Sequence, residues 1–226
     1  MIVLSGGTKG GVGKSTVATN LAIMRSRLGR DVLLIDADDQ ETAADFTTMR
    51  NQKLGDAGYT CTKLNGSSVR TDGKRLAEKY DDVIIDAGGR DTASQRAALV
   101  IADVVLIPFV PRSFDVWTIE PVAQMIAEAR AFNPQLRAYA FINRADATGT
   151  ENIEAASYIQ DTKELEFINT PLGYRKVFGK AASQGLSVTE YKPTDSRAIA
   201  EVTALCDLVF CTREDQNNYL WIKNRR

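Results

Sequence analysis

Lys9-Gly10-Gly11-Val12-Gly13-Lys14-Ser15-Thr16 is the stretch whose reading decides the fold of this chain. It follows the apolar segment Ile2-Val3-Leu4, which reads as a strand, and leads into a helical pattern from Val17 onward. A glycine-rich turn between a strand and a helix N-terminus cradles phosphate. Small residues let backbone N–H groups converge, and the helix dipole favours an anion. In that geometry Lys14 reaches the β- and γ-phosphates and the Ser15 hydroxyl is offered to Mg²⁺. Thr8 stands where the general phosphate-loop pattern has glycine. Lys9 has no task in an ordinary loop of this kind, and its presence points to one subgroup of nucleotide hydrolases.

Outward from this run, short apolar segments alternate with amphipathic ones almost to the end of the chain. Strands are expected at Ile2–Ser5, Asp31–Asp36, Tyr59–Leu64, Asp82–Asp86, Val104–Phe109, Ala138–Asn143 and Phe167–Thr170. Helices are expected at Lys14–Leu28, Glu41–Asn51, Arg70–Tyr80, Thr92–Ile101, Thr118–Phe132, Glu151–Thr162 and Arg197–Phe210. Val32-Leu33-Leu34-Ile35 and Val83-Ile84-Ile85 are continuously apolar, as strands are when helices cover both faces of the sheet. The alternation predicts a doubly wound, mostly parallel α/β domain over 1–211, followed by a polar tail at 212–226. Ligands of such sheets bind at the carboxyl ends of the strands, here just after Ser5, Ile35, Ile85, Ile107 and Ile142.

Composition narrows the function classes. The 28 basic and 29 acidic side chains nearly cancel, so any nucleic-acid contact must come from a local patch. The chain has no histidine, which removes the usual general base near neutral pH and leaves carboxylates, lysines and metal. Three scattered cysteines (Cys61, Cys206 and Cys211) make neither a disulfide framework nor a zinc cluster and suggest a reducing cytoplasm. No apolar stretch reaches the ~18 residues of a membrane span. The first strand begins at Met1-Ile2-Val3, which leaves no room for a signal peptide.

Two acidic strand ends complete the chemistry that the phosphate loop begins. Asp36-Ala37-Asp38-Asp39-Gln40 follows the second strand, and Asp86-Ala87-Gly88-Gly89 follows the fourth. Phosphoryl transfer needs a bound Mg²⁺, charge neutralisation at the γ-phosphate and a residue that orients the attacking water. Asp86 suits support of Mg²⁺, Asp36 suits shaping that site, and Asp38 is the candidate for holding the water. The Asp-x-x-Gly spacing lets the Gly89 backbone sense the γ-phosphate and act as a switch. Asp38 and Asp39 equally suit caps of the following helix. Asn143, ending the sixth strand with Arg144 beside it, is placed to meet an adenine edge or simply to form a turn. The residues themselves do not exclude guanine.

The loop residues 9–16 resemble the deviant Walker A signature of the ParA/MinD family of ATPases. Val32-Leu33-Leu34-Ile35-Asp36-Ala37-Asp38 resembles that family's switch I strand, and Val83-Ile84-Ile85-Asp86 its Walker B strand. Pro108-Phe109-Val110-Pro111-Arg112-Ser113-Phe114-Asp115 is similar to its Pro-x-x-Pro-x-x-x-Asp segment. Gly185-Leu186-Ser187-Val188-Thr189-Glu190-Tyr191 is similar to its late Gly-x-x-Val-x-Glu-Tyr turn. The resemblance implies an ATP- and Mg²⁺-dependent homodimer that sandwiches nucleotide, with Lys9 reaching the phosphates held by the partner subunit. Position 39 is Asp where partition ATPases usually carry proline, and the Asp86-Ala87-Gly88-Gly89 segment lacks the prolines common there. The small Ala/Gly sequence at 87–89 resembles that of the compact partition branch.

That branch has no N-terminal helix-turn-helix and binds DNA without sequence preference through late basic residues. Arg175, Lys176, Lys180 and Arg197 are the expected contacts here, with Lys192 adding to a local excess of three positive charges between Leu172 and Arg197. A ParB-like or cargo-adaptor protein would stimulate turnover, and a plasmid, a chromosome or a protein compartment would be the cargo. Two alternatives are a MinD-like membrane cycler and an ATP-dependent metabolic synthetase on the same scaffold. The Tyr219-Leu220-Trp221-Ile222 cluster lacks the helical stripe of a membrane anchor. The cysteines lie away from the switch motifs, which argues against a bridged iron–sulfur cluster.

Overall fold

A computed structural model of the chain describes residues 1–89, 91–111 and 119–210. In chain order the elements are β1 (Ile2–Ser5), α1 (Lys14–Arg27), β2 (Val32–Ala37), α2 (Thr42–Leu54), β3 (Thr60–Lys63), α3 (Ser68–Ala77), β4 (Asp82–Ala87) and α4 (Ala93–Ile101). The second half adds β5 (Val104–Phe109), α5 (Ile119–Arg130), β6 (Arg137–Ala145), α6 (Glu151–Gln160), β7 (Glu166–Phe167), β8 (Leu172–Gly173), α7 (Lys176–Ala182) and α8 (Ser196–Phe210). The strands form one sheet in the order β3-β2-β4-β1-β5-β6-β7, with β8 also pairing with β6, and every pairing is parallel.

Strand periodicity sorts the apolar side chains into two layers. Leu33, Ile35, Val83, Ile85, Val105 and Ile107 face the layer covered by α3, α4, α5 and α6. Their neighbours Val32, Leu34, Ile84, Val104 and Leu106 face the opposite layer, built with α1, α7 and α8. Each central strand is therefore apolar at consecutive positions because both of its faces are covered.

Register sets the site. Asp86 pairs across β4 with Ser5 on one side and Asp36 on the other, so three chemically important strand ends lie level beside the loop that leaves β1.

The observed elements depart from the sequence reading mainly beyond residue 165. The expected strand Phe167–Thr170 is the shorter β7, and the chain then returns to β6 as β8, across an irregularity between Asn143 and Ala145. Helix α7 lies in a stretch with no expected element; at seven residues it is too short to display a helical period. Thr92 is not the first helical residue but the cap of α4, its hydroxyl accepting the Gln95 N–H at 3.1 Å. Arg112–Asp115 of the Pro-x-x-Pro segment, and the 212–226 tail with its Tyr219–Ile222 cluster, lie outside the described residues. Among the described residues no helix is long and apolar enough to cross a membrane.

Candidate nucleotide-binding site

The loop from Gly6 to Gly13 leaves the central strand between β4 and β5. Its base is pinned by two bonds: Gly6 N–H to Leu106 O at 3.0 Å, and Gly7 N–H to the buried Gln95 Oε1 at 2.9 Å. Gly13 precedes α1 in the left-handed region (φ 97°), and no side chain caps the helix. A Cβ at Gly13 would run into the Asn143 amide, so glycine is required there on two counts. The N–H groups of the first helical turn have no acceptor within the helix and point into the cradle.

Lys14 is buried, and its Nζ donates to the Lys9 carbonyl at 2.8 Å. Burial pulls its pKa below the usual lysine value, with Asp86 and Asp38 acting in the opposite direction. A phosphate arriving at the loop would supply the counter-charge that this ammonium lacks.

Asp86 is fully buried, and neither carboxylate oxygen has a hydrogen-bond partner. Burial pushes its carboxyl up to about 7; the Ser15 hydroxyl and the Lys14 charge pull downward, and Asp36 and Asp38 push further upward. Ser15 favours the carboxylate without closing a bond to it. An orphaned buried carboxylate beside a helix-terminal serine fits Mg²⁺, which takes one or two protein oxygens and fills the rest of its shell with water and phosphate.

Asp36 plays a different part from Asp86. Its Oδ2 accepts the Ala44 N–H at 2.8 Å and its Oδ1 the Asp38 N–H at 3.1 Å. It therefore organises the 36–44 loop and the start of α2. Asp38 lies at the mouth, where its Oδ1 accepts the Gln40 N–H at 3.1 Å, and it lines an open cleft of about 830 Å³ together with Gly10, Lys14, Ser15, Gly88 and Gly89. The loops that follow β2 and β4 touch: a Cβ on Gly88 would lie 3.1 Å from Asp38 Oδ1. Gly89 in turn rests on the phosphate loop itself.

Asn143 does not present a free amide edge. Its Nδ2 donates to Val12 O at 2.6 Å, and its Oδ1 accepts the Arg144 N–H at 2.9 Å. It buttresses the phosphate loop and supports Arg144, which takes a left-handed conformation (φ 53°) at the β6 irregularity. The base-sized space lies beside it: a pocket of about 300 Å³ that shares Gly13, Thr16 and Arg144 with the phosphate side and is closed by Tyr174, Lys176 and Phe178. The sequence reading missed Tyr174 and Phe178; two aromatics within five residues beside a basic pair were the available signal.

Of the expected basic surface, the structure brings together Lys176, Lys180 and Arg197 around a groove of about 450 Å³ that also includes Tyr191 and Asp195. Arg175 is committed elsewhere. Its guanidinium forks onto Glu201 of α8, with Nη2 2.6 Å from Oε1 and Nε 3.0 Å from Oε2, and its charge is compensated there.

The late Gly185–Tyr191 turn is a structural clamp. Arg50 of α2 forms a two-pronged pair with Glu190 (2.7 and 2.8 Å) and donates to Gly185 O at 2.9 Å. Burial draws the Glu190 carboxyl upward, but the Arg50 and Ser187 hydrogen bonds and the Arg50 charge bring it net below its usual value. A depressed carboxylate contributes stability that is complete above its unfolded pKa of 4.5 and is lost as pH falls through the lower folded value. Glu190→Gln is expected to cost about 3 kcal/mol at neutral pH, since it leaves a buried guanidinium with half its partner. The variant should also show a flatter loss of stability below about pH 4.5 in pH-dependent urea melts.

A phosphate loop leaving the central strand, an orphaned buried carboxylate at the end of β4 and an acidic loop after β2 define a P-loop nucleoside-triphosphatase fold. The chain belongs to the CobQ/CobB/MinD/ParA nucleotide-binding domain family, whose model matches residues 3–188. It is 26% identical over 202 residues to the maintenance of carboxysome distribution protein A of Halothiobacillus neapolitanus, covering 89% of this chain and 92% of that protein. It is 28% identical to the chromosome-partitioning ATPase Soj of Thermus thermophilus, covering 85% and 88% of the two chains. In fold it is similar to an ATP complex of McdA from Cyanothece, with a TM-score of 0.76 at 16% identity over 94% of this chain and 97% of that one. It also resembles cobyrinic acid a,c-diamide synthase from Mycobacterium smegmatis bound to an ATP analogue and magnesium (TM-score 0.73, 20% identity, 94% and 96% covered). The ParA/MinD members of this family are ATPases, and nucleotide hydrolysis is the general chemistry of the group.

Proposed function

We propose that this chain is a ParA-type positioning ATPase. In this reading it binds ATP, closes into a homodimer around the nucleotide, holds DNA without sequence preference and releases it on hydrolysis. The observation that carries the reading is the second lysine of the phosphate loop. The Lys9 carbonyl accepts the Lys14 ammonium at 2.8 Å, and Lys14 already stands where the loop's phosphate anchor belongs. An extra cation in such a loop serves the transition state, where charge builds on the transferred phosphoryl group. Supplied across a dimer interface, it makes turnover depend on pairing.

The roles then divide among named residues. Gly10, Gly11, Val12, Gly13 and Thr16 form the cradle, and Lys14 compensates the phosphate charge. Mg²⁺, when bound, would neutralise the β- and γ-phosphate oxygens and be held by Ser15 and Asp86. Asp36 shapes that site, Asp38 orients the attacking water, and Gly89 reports the γ-phosphate. The base would occupy the pocket beside Asn143 and Arg144, against Tyr174. Lys176, Lys180 and Arg197 would meet DNA phosphates. A stimulating partner would connect the cycle, in the cytoplasm and away from the membrane, to a plasmid, chromosome or compartment cargo.

An ATPase assay with and without non-specific duplex DNA tests the reading. Stimulation or ATP-dependent retention on DNA supports it. ATP consumption that requires a small carboxylate and ignores DNA would identify a synthetase on this scaffold, and ATP-dependent pelleting with liposomes a membrane cycler. Lys176→Glu combined with Lys180→Glu is expected to lower DNA retention about tenfold or more and to reduce the salt slope by about two per protomer. Unchanged retention would move the DNA surface elsewhere.

A further inference from the structure

We propose that Asn20 and the Arg50–Glu190 pair are positioning residues for hydrolysis, joined through the 185–190 turn, and that together they fix the switch loop after β2 relative to the phosphate-loop helix. None of the three lines the nucleotide cleft.

Asn20 lies in the second turn of α1, buried, and all of its hydrogen-bonding is directed at two places. Its Nδ2 donates to Thr16 O at 2.7 Å, within the first turn after the phosphate loop. Its Oδ1 accepts the Ser187 hydroxyl at 2.9 Å and the Val188 N–H at 3.1 Å, so it holds the late turn onto α1. From Ser187 the turn closes on itself, Glu190 Oε2 accepting the Ser187 N–H at 3.0 Å. The same carboxylate grips Arg50 on α2 with both prongs. No slack separates the turn from that helix: a Cβ at Gly185 would lie 2.7 Å from the Arg50 Cα.

Helix α2 is a lever. Its 13 residues span about 20 Å. One end is held by Asp36 through the Ala44 N–H, and the third turn is held by Glu190. The loop between Asp36 and Ala44 carries Asp38 and the left-handed Glu41 (φ 53°). A continuous set of hydrogen bonds thus runs from Thr16 to the switch loop without passing through the nucleotide. Hydrolysis needs the water-orienting carboxylate placed to within a fraction of an ångström of the phosphate cradle. Asn20, Arg50 and Glu190 set that spacing.

The structural arm of the test is independent of the function proposed above; only the kinetic arm rests on it. Asn20→Asp preserves size and the acceptor while replacing the donor that faces Thr16 O. Arg50→Lys preserves charge while removing the fork. In hydrogen-exchange mass spectrometry of the full nucleotide-free chain, each variant should speed exchange across residues 36–44 by about fivefold or more, although neither substitution lies in that segment. Each should lower kcat for ATP about tenfold with KM nearly unchanged, and the double variant should be no worse than the poorer single one.

Exchange in 36–44 that matches the natural chain, or single losses in kcat that multiply in the double variant, would overturn the inference. A natural chain that hydrolyses no ATP would instead defeat the proposed function, with the exchange measurement still deciding this one. If Asn20→Asp folds poorly, Ser187→Ala breaks the next link in the same series, the hydroxyl bond to Asn20 Oδ1, more gently and should give the same exchange signature; exchange unchanged in 36–44 would count equally against the proposal.

Discussion

Lys9→Ala is expected to leave ATP binding nearly intact and to reduce hydrolysis by about 10²–10³-fold, the range for removing a preorganised cation or donor from a developing charge. Lys9 has two separable halves. The backbone half is structural, its carbonyl accepting the Lys14 ammonium at 2.8 Å, and alanine keeps it. The lost half is the ammonium, whose proposed role lies in the transition state and therefore touches kcat and not ground-state affinity. Equilibrium binding of a fluorescent ATP analogue, set beside steady-state turnover, separates the two. Lys14→Ala provides the contrast, since it should lose binding as well. Normal turnover in the Lys9 variant would defeat the proposed trans role.

Gly89→Ala should cost about 10²-fold in turnover with little change in melting temperature. An added Cβ would stand 2.5 Å from Gly10 Cα, 2.7 Å from Gly10 N and 3.0 Å from the Lys9 carbonyl carbon. These are backbone atoms of the phosphate loop and cannot rotate aside. Either the loop after β4 retreats or the cradle deforms, and both misplace groups that must meet the γ-phosphate. Gly88→Ala presses on a different neighbour, its Cβ standing 3.1 Å from Asp38 Oδ1 and sparing the phosphate-loop backbone. Turnover of the Gly89 variant within about threefold of the natural chain would show that its contact with the phosphate loop does not position these groups.

The phosphate loop, the level ends of β1, β2 and β4 and the two-faced sheet were legible because each is written in contiguous residues. Ile2–Ser5 and Val104–Phe109 carry their bounds in local apolarity, and Asp86 announces itself at the end of an apolar run. What escaped reading depends on partners far along the chain. Asn20 meets Ser187 across 167 positions and Arg50 meets Glu190 across 140, and no local period encodes either meeting. Gln95 looks like any helical glutamine until its amide is found under Gly7. Arg175 counted as surface charge because Glu201, its neutralising neighbour, lies in another helix. Asn143 was legible as a strand-end residue; its side chain's bond to the Val12 carbonyl was not.

The sheet's two outer strands are short, β3 with four residues and β7 with two, and the Lys63 ammonium at the end of β3 sits 2.5 Å from the Glu41 carboxylate. So little unpaired backbone, flanked by charge, gives a neighbouring molecule almost nothing to zip onto. Lateral growth into β-ribbons is thereby disfavoured, even at the crowded local concentrations that gathering many copies along one polymer would produce. Under the proposed function, encounters between copies would fall instead to the loops at the carboxyl rim, beside the cleft lined by Gly10, Lys14 and Asp38, where a small-molecule fuel would license or dissolve them.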